Sequence, residues 1–362
     1  MIKVGSDFSG VGAFNQALMR LGIDYEEIFA CDMDKYARDT FIHNYGEPKY
    51  YPKNVYEREI PSESLDIYMT SPPCQAFSLA GKRLGKDDKR GILFFSSYEF
   101  IQVNKPRYFI FENVKGLLSD DNGRTFQEWI NMLGGKSVNG VPVIFPYDDS
   151  VPYHIYWKVI NAKDFNVPQN RERVFIVGIR DDEDNNFSWA IEQPLTRKLK
   201  DVLESEVDKK YFLSEKLMLW ISKHRCKRDS KNKYPLDDSD ISYCMTARYG
   251  KNGAEDPYIK VHQINSSLES GGKQPYQQNR IYDSNGLSTA LCREKSDLNV
   301  QIETSTNYKI RRLTPRECFR LMDFPDTFTW EVSDSQAYKQ AGNSIVVAVL
   351  ESIINKLNLC QR

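Results

Sequence analysis

Apolar and polar positions alternate with two different periods along this chain, and where the period changes the architecture should change with it. Residues 2–8 read as a strand, Gly10-Val11-Gly12 as a tight turn, and Ala13 to Leu21 as a helix that Gly22 stops. A second strand, Ile28-Phe29-Ala30, ends near Asp32 and is followed by a helix from Lys35 to His43. The alternation Leu65-Asp66-Ile67-Tyr68-Met69 predicts a third strand. Pro72 and Pro73 must end it, which puts Cys74 on a stiff loop at the strand's carboxyl end. A helix over 93–103 leads into Tyr108-Phe109-Ile110-Phe111, an apolar run of the kind buried on both faces of a parallel sheet, with Glu112 and Asn113 at its end. Gly134 to Pro152 is a Gly/Pro-rich connector. His154 to Ile160 alternates like a strand, and Arg171 and Arg173 lead into another apolar one. Being two apart, the arginines should point to the same side. Strands alternating with helices over 1–185 predict an α/β fold with a Rossmann-like, doubly wound, mostly parallel sheet.

Beyond 185 the pattern breaks. Residues 186–306 are polar and loop-rich, with one helical stripe at Ser214 to Lys223, and they read as a smaller second lobe. Two stretches in it loosely resemble each other. Met245-Thr246-Ala247-Arg248 precedes the short strand 258–261, and Ser288-Thr289-Ala290-Leu291-Cys292-Arg293 precedes another at 299–302. Regularity returns at Thr314-Pro315, an N-cap followed by proline at the first helical position. The run Ile345 to Leu350 is too apolar for a solvent-facing helix and should come back to cover the sheet. The large domain is therefore expected to comprise 1–185 plus 307–362, with 186–306 as the second domain.

Composition narrows the class. With 362 residues, 40% hydrophobic and 27% charged, the chain can bury a large core, and it holds no apolar run near the roughly 18 residues of a membrane span. The first residues look like a strand, not a secretory signal, so a cytoplasmic location is expected. Seven cysteines without a Cys-x-x-Cys pair and four scattered histidines point to neither a disulfide framework nor a metal site. Net charge is −1, so any contact with a polyanion must be local. Two local basic stretches exist, five positive against two negative charges over 82–90 and six against one over 223–233. Each could hold phosphates or be a solvated loop.

Three features carry candidate chemistry. Cys74 on its proline-stiffened loop could be a nucleophile, although an isolated cysteine is more often inert filling. The Gly10-x-Gly12 turn lets backbone approach a ligand, and Asp32 stands about 20 residues on, where such folds place the acid that meets a ribose. That pair suits an adenosyl-cofactor enzyme and a nucleotide-dependent oxidoreductase equally. Glu112 lies at the end of an apolar strand, the ligand edge of open α/β sheets.

Six segments in order then resemble the cytosine-C5 DNA methyltransferases of bacterial and phage modification systems. They are Phe8-Ser9-Gly10-Val11-Gly12, Ser71-Pro72-Pro73-Cys74-Gln75, Phe111-Glu112-Asn113-Val114, Gln169-Asn170-Arg171-Glu172-Arg173, Arg312-Leu313-Thr314-Pro315-Arg316-Glu317 and Gln340-Ala341-Gly342-Asn343-Ser344. The resemblance implies methyl transfer from S-adenosylmethionine, leaving S-adenosylhomocysteine, to C5 of a cytosine flipped out of double-stranded DNA. Cys74 would add to C6, Glu112 would protonate or hydrogen-bond N3, and Arg171 and Arg173 would fix O2 and favour the thiolate. The cofactor site maps onto Phe8, Ser9, Gly10, Gly12, Asp32, Met33, Asn54, Pro73, Leu93, Asn343 and Ser344. DNA contacts map onto Gln75, Ser78, Lys82 and Arg83, and in the recognition lobe onto Arg248, Arg280, Thr289 and Ala290. No metal is expected, the protein should act as a monomer, and a companion restriction endonuclease is possible within such a system.

The chain departs from the family pattern in places. Ser6 stands where an acid is usual, with Asp7 directly before Phe8. Met33 replaces a frequent aromatic, Asn54 a frequent acid, and Ala290 a frequent threonine. A tRNA-acting branch of the family has a much reduced recognition region, whereas about a third of this chain lies there. A catalytically dead DNA-binding regulator would be expected to have lost Cys74 or Glu112. An NAD-dependent oxidoreductase would leave the Cys74 loop and the paired arginines without a purpose.

Overall fold

The computed structural model describes residues 1–73, 92–213, 242–243, 258–262 and 308–359. Cys74, Gln75, Ser78, Lys82, Arg83, Arg248, Arg280, Thr289 and Ala290, the helix expected at 214–223 and the strand expected at 299–302 lie outside the described residues.

Among the described residues, eight strands form the central sheet: β1 (Ile2–Asp7), β2 (Tyr25–Cys31), β3 (Ile67–Thr70), β4 (Tyr108–Val114), β5 (Ser137–Val138), β6 (Val141–Pro142), β7 (Tyr153–Asn161) and β9 (Glu172–Arg180). Their order is β2-β1-β3-β4-β9-β7-β5-β6. The first four are parallel, so all their carboxyl ends reach one edge. β9 runs antiparallel between β4 and β7, so the sheet is mixed and mostly parallel, as expected from the alternation over 1–185. The cause of the antiparallel placement is local. β7 and β9 are joined by a short turn around the 3-10 segment Ala162–Asp164, too short for the crossover that parallel strands need. As a result the amino end of β9 meets the carboxyl end of β4, with Arg173 opposite Val114.

Helices cover both faces. On one face lie α1 (Ala13–Arg20) and the carboxy-terminal helices α5 (Pro315–Leu321), α6 (Asp334–Asn343) and α7 (Val347–Ile354), as the greasy 345–350 run predicts. The other face is covered by α3 (Ile92–Asn104) and α4 (Arg124–Leu133), while α2 (Lys35–Tyr45) adds Ala37 to the first face's core and bonds to Gln340 of α6. α4 buries Phe126, Trp129, Ile130 and Leu133, a helical stripe that the sequence analysis did not assign. α5 begins as its sequence predicts. Thr314 Oγ1 accepts from Glu317 N, and a carboxylate oxygen of Glu317 accepts from Thr314 N. Buried Arg311 clasps the same carboxylate with two bonds of 2.7 Å.

Phe187, Leu199, Val202 and Tyr211 are buried in the core that contains α1 and α7, so the chain from 186 to 213 contributes to that core. Two short pairings complete the description: β10 (Ser242–Tyr243) on β8 (Gln169–Asn170), and β11 (Tyr258–His262) antiparallel to β12 (Tyr308–Arg312).

Candidate active site

The carboxyl ends of β1 and β2 carry the expected cofactor residues. Phe8 adopts a left-handed backbone (φ 58°), as do Gly10 (φ 54°) and Gly12 (φ 84°), so the chain turns sharply between β1 and α1. A Cβ on Gly10 would meet nothing within 4 Å, whereas one on Gly12 would strike the Tyr45 ring at 2.3 Å. Gly10 therefore borders open space and Gly12 is packed. Asp32 is oriented by two backbone donors, Gly10 N to Oδ2 and Asp34 N to Oδ1, both 2.8 Å. Burial pushes its pKa up against those bonds, and the carboxylate retains acceptor capacity for hydroxyl donors. Met33 is 87% exposed beside it.

Other cofactor candidates come from three further segments. Asn54 caps its own turn, accepting from Tyr56 N at 3.1 Å and donating to Glu57 Oε1 at 2.8 Å. Pro73 closes the described part of the loop after β3, and Leu93 lies half-buried near the start of α3. Exposed Asn343 and buried Ser344 form the junction between α6 and α7. Two neighbouring residues carry no sequence signal: Tyr51, whose hydroxyl lies 3.1 Å from Ser9 Oγ and whose ring stacks under Arg38 at 4.0 Å, and Arg58, the buried partner of Asp7. An acid at an inward strand position signals a cation somewhere, but not which one.

Glu112 and Asn113 belong to β4 itself and are 8% and 3% exposed. Asn113 Nδ2 donates to the carbonyl of Pro72 at 3.2 Å, pinning the root of the segment that bears Cys74. Across the β4–β9 pairing, Arg173 Nε lies 3.1 Å from Glu112 Oε1. Burial pushes the Glu112 carboxyl up, and the charges of Arg173 and Arg171 oppose that shift. Arg171 and Arg173 line one small cavity with Phe175, Ile345, Val346 and Val349, on the same side of the chain. They are differently engaged. Arg171 Nη2 donates to the carbonyls of Gly342 (3.1 Å) and Ser344 (2.7 Å), tying this corner to the junction that carries Asn343. The edge thus places a buried carboxyl with a raised pKa next to a cation and near Pro72, two residues before Cys74.

The sequence profile of the C-5 cytosine-specific DNA methylases matches residues 2–359. The chain belongs to that family. It is therefore a DNA cytosine-5 methyltransferase, with DNA as its substrate. The methylase is 31% identical to the orphan methyltransferase M.SPRI of Bacillus phage SPR, covering 98% of this chain and 97% of the relative. It is 34% identical to the type II methyltransferase M1.ScrFI of Lactococcus lactis subsp. cremoris, covering 97% of this chain and 76% of the relative. Among solved structures, the Entamoeba histolytica methyltransferase EhMeth superposes with a TM-score of 0.67 at 18% identity, covering 98% of this chain and 97% of that one. Schizosaccharomyces pombe Dnmt2 gives 0.66 at 18%, with the same coverage. At such identity the likeness is one of fold. Among the described residues no helix is long and apolar enough to cross a membrane, and no group of three or more His, Cys, Asp or Glu could hold a metal ion.

Proposed function

We propose that this methylase transfers the methyl group of S-adenosylmethionine to C5 of a cytosine flipped out of duplex DNA, through a transient bond between Cys74 Sγ and C6. The observation that carries the reading is the ion pair of buried Glu112 on β4 with half-buried Arg173 on β9, beside the bond from Asn113 to the carbonyl of Pro72, two residues before Cys74. The residues at the ends of β1 and β2 fit the cofactor, since Gly10 leaves open space and the oriented Asp32 carboxylate can accept from ribose hydroxyls. When bound, S-adenosylmethionine supplies an electrophilic methyl on a sulfonium.

C5 of cytosine is a poor nucleophile while the ring is aromatic. Addition of the Cys74 thiolate to C6 moves an electron pair towards N3, where protonated Glu112 delivers its proton, and C5 becomes an enamine carbon able to take the methyl. Arg173 stabilises the Glu112 carboxylate that results and can reach O2 of the ring. Arg171 keeps this corner on the cofactor side. Loss of the C5 proton to solvent then expels the thiolate, N3 returns its proton to Glu112, and aromaticity is restored. Approach to C6 is perpendicular to the ring, where stacked neighbours block it, so the base must leave the helix. Base readout falls to the second lobe. The second lobe is taken as 186–306, with Phe187, Leu199, Val202 and Tyr211 of its first segment packed into the catalytic core. We further infer a monomer, active where cellular DNA lies and able to serve as the modification partner of an endonuclease.

Bisulfite sequencing of DNA from cells with and without the gene identifies the methylated site. A duplex carrying 5-fluorocytosine at that site should then trap the protein with the adduct on Cys74. Full activity in Cys74→Ala would refute the mechanism.

A further inference from the structure

Asp7 and Arg58 form a buried ion pair for which methyl transfer as described has no use. Asp7 ends β1 directly before Phe8, and its side chain is 0% exposed, that of Arg58 2%. Arg58 Nε lies 2.9 Å from Asp7 Oδ1. Tyr68 of β3 donates its hydroxyl to Asp7 Oδ2 at 2.6 Å. The same guanidinium donates through Nη2 to the carbonyl of Ser96 on α3 at 3.1 Å and sits 4.8 Å from the Phe100 ring centroid. One side chain therefore ties together three segments distant in sequence. Each carries residues assigned above to the cofactor: the turn after β1 with Phe8 and Gly10, the irregular loop with Asn54, four residues before Arg58, and α3, with Leu93 one turn before Ser96.

Stability alone does not account for this choice. Burying two charges costs much of what their attraction returns, and well-packed apolar residues of similar volume often serve as well or better. What this pair adds is placement, because Nη2 is fixed on the Ser96 carbonyl while the guanidinium charge is held 2.9 Å from the Asp7 carboxylate. We propose that Asp7 and Arg58 are positioning residues that set the affinity for S-adenosylmethionine by holding the turn after β1, the Asn54 loop and α3 in register around it. The inference rests on reading this edge as the S-adenosylmethionine site.

The test uses the full chain and isothermal titration with S-adenosylmethionine and, separately, S-adenosylhomocysteine. Thermal unfolding and single-turnover methyl transfer at saturating donor accompany it. Arg58→Lys keeps the charge but cannot reach Asp7 and Ser96 together, Asp7→Asn removes the charge, and the double variant Asp7→Leu/Arg58→Met replaces the pair by apolar side chains. Arg58→Lys and Asp7→Asn should bind both ligands roughly tenfold more weakly or worse, about the effect of one lost charge-assisted bond. Their single-turnover rates at saturation should stay near that of the parent. The double variant should regain the parent unfolding temperature yet still bind weakly. Parent affinity in Arg58→Lys or in the double variant, or affinity that simply follows unfolding temperature across the set, would overturn the inference. If the parent itself bound neither ligand, the failure would lie with the cofactor reading instead.

Discussion

Replacing Glu112 by glutamine separates proton donation from simple positioning. The carboxyl is 8% exposed with Arg173 Nε 3.1 Å from Oε1. Glutamine keeps the volume, an oxygen for Arg173 and a hydrogen-bond donor for N3, so the site should stay assembled. What it loses is the transferable proton. A positioned general acid contributes roughly 10²–10⁴-fold, so the barrier should rise by about 3–5 kcal/mol at 1.36 kcal/mol per decade. The pH profile gives a sharper signature. Burial raises the pKa of Glu112, so the parent's acid is protonated to higher pH than a free glutamate and its rate contribution falls as pH rises through that raised value. The thiolate fraction of Cys74 changes in the opposite sense, and together they produce a bell. In Glu112→Gln the descending limb should vanish while the ascending one remains. The same shift bears on folding. A carboxyl whose folded pKa is raised stabilises the fold at low pH and loses that contribution as pH rises through the folded value, so Glu112→Gln should not lower the unfolding temperature at neutral pH. Single-turnover transfer of a tritiated methyl, saturated in donor and DNA and repeated across pH, measures both effects. A loss below about tenfold, or an unchanged descending limb, would remove Glu112 from proton transfer.

Two further substitutions probe the cofactor turn and the start of α5. Gly10→Ala should cost about 1–2 kcal/mol of stability for a left-handed alanine, and it should also weaken S-adenosylmethionine binding by filling open space. Gly22→Ala shares the positive φ (65°) and the open surroundings but lies after α1, so equal affinities in a titration of the two variants would refute the role of Gly10. Glu317→Ala strips Arg311, which is 4% exposed, of both 2.7 Å bonds and removes the acceptor for Thr314 N. Breaking such a pair costs roughly 3–5 kcal/mol, and a loss under about 1 kcal/mol in chemical denaturation would show that Arg311 finds another anion.

How far the sequence could be read follows from how local each interaction is. β4 is legible because four successive apolar residues fit little else than a doubly buried strand, and α5 because Thr314 and Pro315 act on their own turn. The antiparallel placement of β9 is not written in its residues. It follows from the shortness of the β7–β9 connection, which matters only once both strands are known to share a sheet. The active corner divides in the same way. Family motifs bring Glu112 and Arg173 together by resemblance, and their spacing puts Arg171 and Arg173 on one side. Which arginine meets the acid is decided by the register of β9 against β4, and Arg171 is drawn to carbonyls 171 and 173 residues further along. Asp7 is the extreme case, since its partner lies 51 residues away in a loop without periodicity. An acid pointing inward from a strand reports that a cation must exist. Only the packing of α3 over β2 and β3 selects Arg58, because Ser96 and Phe100 complete its surroundings. Periodicity therefore reports what a residue does with its chain neighbours, whereas the charges that shape this site are matched across the sheet and become visible only after the layers are stacked.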